Sequence, residues 1–246
     1  MVDIDFTYNA YKSLIQGIQE HGYAIKNYHN WHECKRCVIM RHDVDNDLEK
    51  ALDLAKIEEQ LCIKSTYFIL VTSDFYNVFS FSSEKFLLGI MACGHEIGLH
   101  FDEVRYSNIV TPEDARDRII EETKLLSAAI GKPITTVSMH RPSKMMLDAD
   151  LCIPGIINSY CHEYYKKFKY LSDSRRHWRE PVEEIVASEK YDRLQILTHA
   201  IWYNENEKSI HDSIRDFINS GNKQRYIAEQ SNITDLESVM TEDEVL

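Results

Sequence analysis

The sequence predicts an α/β protein with a mostly parallel sheet or barrel and helices packed outside it. Three observations carry this. Short apolar, β-rich runs at Cys37–Met40, Ser65–Leu70, Ile134–Met139 and Leu194–Thr198 read as strands. Between them lie segments with helical apolar spacing and recognisable helix starts and stops. Ionisable residues stand just past one run after another: His42, Asp43 and Asp45, then His100, then His140 and Arg141, then His199. In a parallel sheet those strand ends share one side, where α/β enzymes assemble their sites.

Taken in order, residues 6–22 read as a helix, with Tyr11, Leu14, Ile15 and Ile18 on one face and Gly22 at its end. Tyr23–Ile25 is a short extended piece, 27–36 is polar and irregular, and 37–42 is the first full strand. Asp45-Asn46-Asp47 supplies cap chemistry for a helix over 47–60 with the stripe Leu48, Ala51, Leu52, Ala55 and Ile57. Residues 65–70 form the next strand, Ser82-Ser83-Glu84 opens a helix that Gly94 closes, and Glu96–His100 is a short strand. Thr111-Pro112-Glu113-Asp114 combines a Thr cap, Pro at the first helical position and an acid three residues on, and predicts a helix to Ile130. Glu121, Glu122 and Lys124 are expected on its solvated face. Strands follow at 134–139, 155–160 and 194–198, a helical segment at 207–230 and an acidic, frayed tail from Asn232. No linker or repeat divides the 246 residues, so one domain over 1–246 is expected, with its core at about 37–203.

The net charge of −12 argues against a nucleic-acid partner and against an anionic membrane surface. No apolar segment approaches the roughly 20 residues that span a bilayer. Six scattered cysteines and an N-terminus without signal-peptide character lead to the expectation of a cytoplasmic protein with reduced thiols. Cys62, Cys93, Cys152 and Cys161 are expected to be packed, while His29, His32, Cys34 and Cys37 form an alternative zinc set without a second Cys pair to support it.

A lone histidine is more often structural than functional. Convergence of several at strand ends is another matter, because ionisable groups are costly in a plain core. Carboxylate oxygen with imidazole nitrogen is a ligand set for zinc or a similar divalent metal.

The segments Val38–Asp45, Ser65–Ile69, Gly94–His100, Arg141-Pro142 and Ile196–His199 come in the order and spacing of the polysaccharide deacetylase motifs. The chain resembles that family, metal-dependent carbohydrate esterases that deacetylate N-acetyl sugars, over about 37–203. The resemblance implies a distorted (β/α) barrel with fewer than eight strands. It implies Asp43 as general base and Asp45 as metal ligand, although Val44 between them leaves the two roles open to exchange. His100 corresponds to the first histidine ligand, Arg141 to the arginine that orients the base, and His199 to the general acid. The metal would be zinc, with cobalt, manganese or nickel as alternatives. The segment with Asp173, Arg175, Arg176 and Trp178 loosely resembles the family's late substrate motif, and Trp202 and Tyr203, just after His199, are candidates to stack on a sugar face or to pack over the barrel mouth. The substrate would be a small or oligomeric N-acetyl sugar, with surface-polysaccharide biosynthesis as the setting.

One departure matters. The family's second histidine ligand falls four residues after the first, where this chain has Val104. Asp102, Glu103, His42, His95 and His140 are the candidates to replace it. The same gap motivates a rival: a degenerate member that binds carbohydrate without catalysis. A hydrolase of another carbon–nitrogen bond is the third possibility, since fold does not fix substrate.

Overall fold

The computed structural model describes residues 5–245. Among the described residues there are eight strands: β1 (Ala24–Lys26), β2 (Cys37–Val44), β3 (Thr66–Ile69), β4 (Glu96–Phe101), β5 (Thr136–Met139), β6 (Ile157–Asn158), β7 (Lys169–Ser172) and β8 (Arg193–Thr198). The helices are α1 (Tyr8–Glu20), α2 (Leu48–Gln60), α3 (Phe81–Ala92), α4 (Pro112–Ile130), α5 (Lys144–Asp148), α6 (His162–Lys167), α7 (Val182–Ala187) and α8 (Ile210–Gln230). Contacts divide the chain into two compact units, Met1–Glu205 and Asn206–Leu246. The first holds every strand. In the second, α8 is joined to the following turns by Tyr226, whose hydroxyl donates to the Met240 carbonyl at 2.8 Å.

The strand path runs β6-β5-β4-β3-β2-β8-β7, and every pairing is parallel. β1 pairs with the first half of β2 and β3 with its second half, on the edge opposite β8. The path is strongly curled. β2 and β6 are four strands apart, about 19 Å on a flat sheet, yet Arg41 Nη1 donates to Ser159 Oγ at 3.1 Å. Tyr160, just past β6, and Tyr170, in β7, meet side chain to side chain across the remaining gap. The architecture is a distorted, open (β/α) barrel with seven strands on its path.

Strand alternation sorts the side chains. On β2, Val38, Met40 and Val44 point outward into the main hydrophobic cluster shared with the helices. Cys37 and Ile39 point inward, joining Phe68, Tyr28, Trp31, Tyr164 and Phe168 in a second cluster. Both faces of β2 are buried, which is why its first half, Cys37–Met40, reads as a continuous apolar run. Gly98 lies on the inner face of β4, where a Cβ would stand 2.6 Å from Phe68 and from Thr136. Only glycine fits there.

The capping expectations hold. Asp47 accepts from the Glu49 and Lys50 amides, Thr111 and Asp114 form a capping box behind Pro112, and Gly131 closes α4 at φ 69°. Several details differ. β2 continues to Val44, β5 starts at Thr136, and α3 is capped by Ser80, two residues before Ser82. The segment 161–190 contains α6, β7 and α7, which have no sequence counterpart above. The 155–160 strand shrinks to Ile157–Asn158, and the tail carries short 3₁₀ turns at Leu236–Ser238 and Glu242–Val245. Cys62 and Cys152 are exposed rather than packed. Glu122 is buried rather than solvated: its Oε1 accepts from the Tyr106 hydroxyl at 2.5 Å. Among the described residues no helix is long and apolar enough to cross a membrane.

Candidate active site

The period-2 rule places Arg41, Asp43 and Asp45 on one face of the β2 end, pointing into the barrel. His42 between them points the other way. Parallel pairing brings the ends of β3, β4, β5, β7 and β8 to the same mouth.

Asp45 is the centre. Its Oδ1 lies 3.2 Å from His100 Nε2 and 3.2 Å from His140 Nδ1, and the two imidazole nitrogens face each other at 3.1 Å. His140 sits one residue beyond β5, with its amide donating to the Phe101 carbonyl at 2.8 Å, so it stands beside the end of β4. Burial pushes the Asp45 carboxyl up, but the His100 and His140 side chains outweigh it and hold it well below the usual carboxylate range.

Asp43 is the neighbour of this trio, its Oδ2 at 3.5 Å from His100 Nε2. Arg41 grips it: Nη2 donates to Oδ1 at 2.6 Å and Oδ2 at 2.8 Å, and Nε to Oδ1 at 3.2 Å. Arg41 is fully buried, lies over the Phe68 and Tyr160 rings, and also donates to Ser138 and Ser159. Burial raises the Asp43 carboxyl; Arg41, then His100 and His199, more than offset this and lower it below its ordinary value.

His199 closes the far side, its Nε2 at 3.9 Å from Asp45 Oδ2. Its Nδ1 meets Asp173 Oδ1 at 2.6 Å, and Asp173 Oδ2 accepts the His199 amide at 3.0 Å. Burial pulls the imidazole down, but the Asp173 charge and hydrogen bond carry it up to about 9.

The structure therefore brings together Asp43, Asp45, His100 and His199, and separates the rest. Arg141, expected on Asp43, pairs instead with Asp102, and Arg41 holds Asp43. Asp173, expected on substrate, is fully buried against His199. Trp178 and Trp202 are half-buried against the hydrophobic core, each indole N–H without a partner among the described residues. Tyr203 is buried in aromatic contact with Phe6 and Tyr11. Of the candidates to replace the absent histidine, His140 is the one beside Asp45 and His100. Val104 is exposed. Among the described residues, His29, His32, Cys34 and Cys37 do not form a ligand cluster; the cluster found is Asp45, His100 and His140.

His42 and His95 belong to a different construction, on the outer side of the sheet. Glu58 of α2 is fully buried and accepts four hydrogen bonds: from Tyr11 at 2.6 Å, Ser65 at 2.6 Å, Tyr67 at 2.7 Å and His42 Nε2 at 3.0 Å. His42 Nδ1 meets Thr198 Oγ1 at 2.7 Å, tying the residue before Asp43 to the residue before His199. Burial opposes the Glu58 charge; His42 and the other donors overcome it and lower the carboxyl to about 2.

The trio fits a divalent cation on its own chemistry. Two imidazole nitrogens and a carboxylate oxygen lie within 4.8 Å of one another, a donor set suited to zinc and related metals. Asp45 Oδ1 is buried without a directed hydrogen bond. His100 Nδ1 is buried without a hydrogen-bond partner among the described residues.

No family model matches the sequence, and no curated protein matches it. Solved structures do. One is the carbohydrate esterase family 4 domain of a multidomain xylanase from the hindgut metagenome of Trinervitermes trinervoides, at 14% identity and a TM-score of 0.45, covering 76% of this chain and 85% of that one. Another is the catalytic domain of a peptidoglycan N-acetylglucosamine deacetylase from Eubacterium rectale, at 15% identity and 0.45, covering 75% and 83%. A third is a family 4 pseudoenzyme from Bacillus anthracis, at 15% identity and 0.41, covering 77% of this chain and 61% of that one. The matched structures include family 4 carbohydrate esterases and deacetylases, with a pseudoenzyme among them.

Proposed function

We propose that this chain is a divergent member of the polysaccharide deacetylase family, a divalent-metal-dependent hydrolase that removes the acetyl group from an N-acetylated sugar. The observation that carries this is the assembly at the barrel mouth: an Asp-His-His trio flanked by an arginine-held carboxylate and a carboxylate-held imidazole. Amide hydrolysis needs those parts. Asp45, His100 and His140 would hold the cation, which would supply Lewis acidity, making water more acidic and stabilising charge on a carbonyl oxygen.

The protein supplies the proton traffic. Asp43, kept ionised by Arg41, accepts the proton of the attacking water. His199, protonated at neutral pH through Asp173, donates to the departing amine. Asp45 rather than Asp43 is assigned to the metal, because it touches both imidazoles while Asp43 is engaged by Arg41. A cytoplasmic sugar precursor is the setting proposed, with zinc the first choice of metal.

The test is metal content per chain of purified, untagged wild type, His100→Ala and His140→Ala, followed by acetate release from acetylated amino sugars. About one metal per wild-type chain, lost in both variants, is expected, with Asp43→Asn metal-replete and inactive. No metal after incubation with zinc, cobalt, manganese and nickel overturns the hydrolase in favour of a carbohydrate-binding protein. An active, metal-replete Asp43→Asn overturns the role of that residue.

A further inference from the structure

Arg141 is set free by Arg41. The guanidinium that orients the base comes from β2, buried and fully engaged by Asp43, Ser138 and Ser159. Arg141 stands at the barrel mouth instead, one residue after the metal-ligand candidate His140, with a side chain 55% exposed. It is nonetheless fixed. Nε and Nη2 both donate to Asp102, a carboxylate buried at the end of β4 that also caps the next turn through the Val104 amide. Nη1 has no partner among the described residues.

An exposed arginine normally keeps its rotamer freedom, and ordering it on a ligand is unfavourable. Here Asp102 has already done the ordering. One edge of the planar group is held by the protein, and the half-exposed side chain leaves its terminal edge open. That edge suits the oxygens of a carboxylate or phosphate, which a guanidinium engages as a planar fork. Asp102 makes the pair neutral overall, so what remains is directed hydrogen bonding at short range rather than a diffuse attraction. The chain as a whole is strongly acidic, at −12, so a rigid cation beside the centre is not an extension of a basic surface.

We infer that Arg141 is the specificity-determining residue for an anionic group on the substrate, so that the N-acetyl sugar carries a phosphate or carboxylate close to its acetamide. This rests on the deacetylase proposal for the identity of the sugar. It does not rest on it for the anion.

The probes are N-acetylglucosamine, its 1-phosphate, its 6-phosphate and its 6-carboxylate form. Binding is measured by calorimetry on metal-loaded Asp43→Asn, and acetate release on metal-loaded wild type, each with and without Arg141→Gln or Arg141→Lys. At least one anionic sugar should bind roughly tenfold or more tighter than the neutral one, the range of a charged hydrogen bond. Arg141→Gln should remove that preference and Arg141→Lys should retain part of it. The phosphate and carboxylate arms tell which anion is meant. Equal binding of all four sugars, no binding of any, a preference that survives Arg141→Gln, or a loss shared equally by neutral and anionic sugars each overturns the inference. Arg141-dependent binding without acetate release leaves the inference standing and refutes the hydrolase.

Discussion

Glu122 makes a pH-dependent stability prediction whose size follows from its surroundings. The residue is 1% exposed, one oxygen accepts from Tyr106, and the other has no hydrogen-bond partner among the described residues. Burial, and to a lesser degree the Asp102 charge, lift its carboxyl from 4.5 to about 7, against the Tyr106 hydrogen bond and Arg105, which lower it. Between those values the folded protein holds a proton that the unfolded chain has released. Stability must therefore fall as pH rises from 4.5 to about 7 and level off above. At 1.36 kcal/mol per pH unit this amounts to about 3 kcal/mol. Glu122→Gln mimics the protonated acid, keeping the Tyr106 acceptor and losing the ionisation. The variant should match wild type near pH 4.5 and exceed it at pH 8 by about 3 kcal/mol, or roughly 6–12 °C in melting temperature for a chain of this size. Denaturant unfolding of both proteins at pH 5, 6, 7 and 8 is the assay, and the difference between them cancels every other titrating group. A difference independent of pH, or a Gln variant less stable at pH 8, would refute the argument.

Two further outcomes follow from the carboxylates that hold histidines. Asp173→Asn removes the charge that raises His199 to about 9, so the imidazole should titrate lower, by on the order of 1–2 pH units. The alkaline limb of the rate profile should move down with it, and an NMR titration of His199 checks this without any substrate; an unmoved imidazole contradicts the assignment. Glu58→Ala leaves three hydroxyls and the His42 N–H without their acceptor, and should destabilise the fold by roughly 3–5 kcal/mol. A loss under about 1 kcal/mol in chemical denaturation would mean that water or relaxation satisfies those donors.

Much of the fold was legible because burial on two faces leaves a strong pattern. β2 is buried throughout and opens on the apolar run Cys37–Met40, β8 is buried beyond Arg193, and α4 carries a full set of cap signals. β7 was not legible. Its four residues, Lys-Tyr-Leu-Ser, are too few to show alternation and lie in a stretch crowded with charged and small residues. Asp173 consequently had no strand end to belong to, and its role beside His199 was missed. Arg41 could have been found, since positions 41, 43 and 45 share one face of a strand by spacing alone. Glu122 also had a signal. Ala115, Ile119, Leu126 and Ile130 are the buried stripe of α4, and position 122 falls on it. Residue type outweighed spacing in the sequence expectation, and spacing was the better guide.

The displaced ligand has the same kind of explanation. A histidine four residues after His100 is one way to bring a second imidazole to the metal, through the loop that leaves β4. A parallel neighbour offers another. β5 runs beside β4 with His100 opposite Ser138, at a strand separation of about 4.8 Å. His140, two residues beyond Ser138, keeps the same inward parity and carries its ring to 4.9 Å from that of His100. A second imidazole thus stands beside Asp45 from the adjacent strand, while Val104 is exposed. A motif written as spacing within one loop cannot register this exchange, whereas the pairing of β4 with β5 makes it a local substitution. Arg41, two residues before Asp43 on one strand, likewise reaches that carboxylate from β2, whereas Arg141, two residues beyond β5, is engaged by Asp102. The pairing of strands, and not the spacing within a loop, thus decides which side chains meet at the barrel mouth.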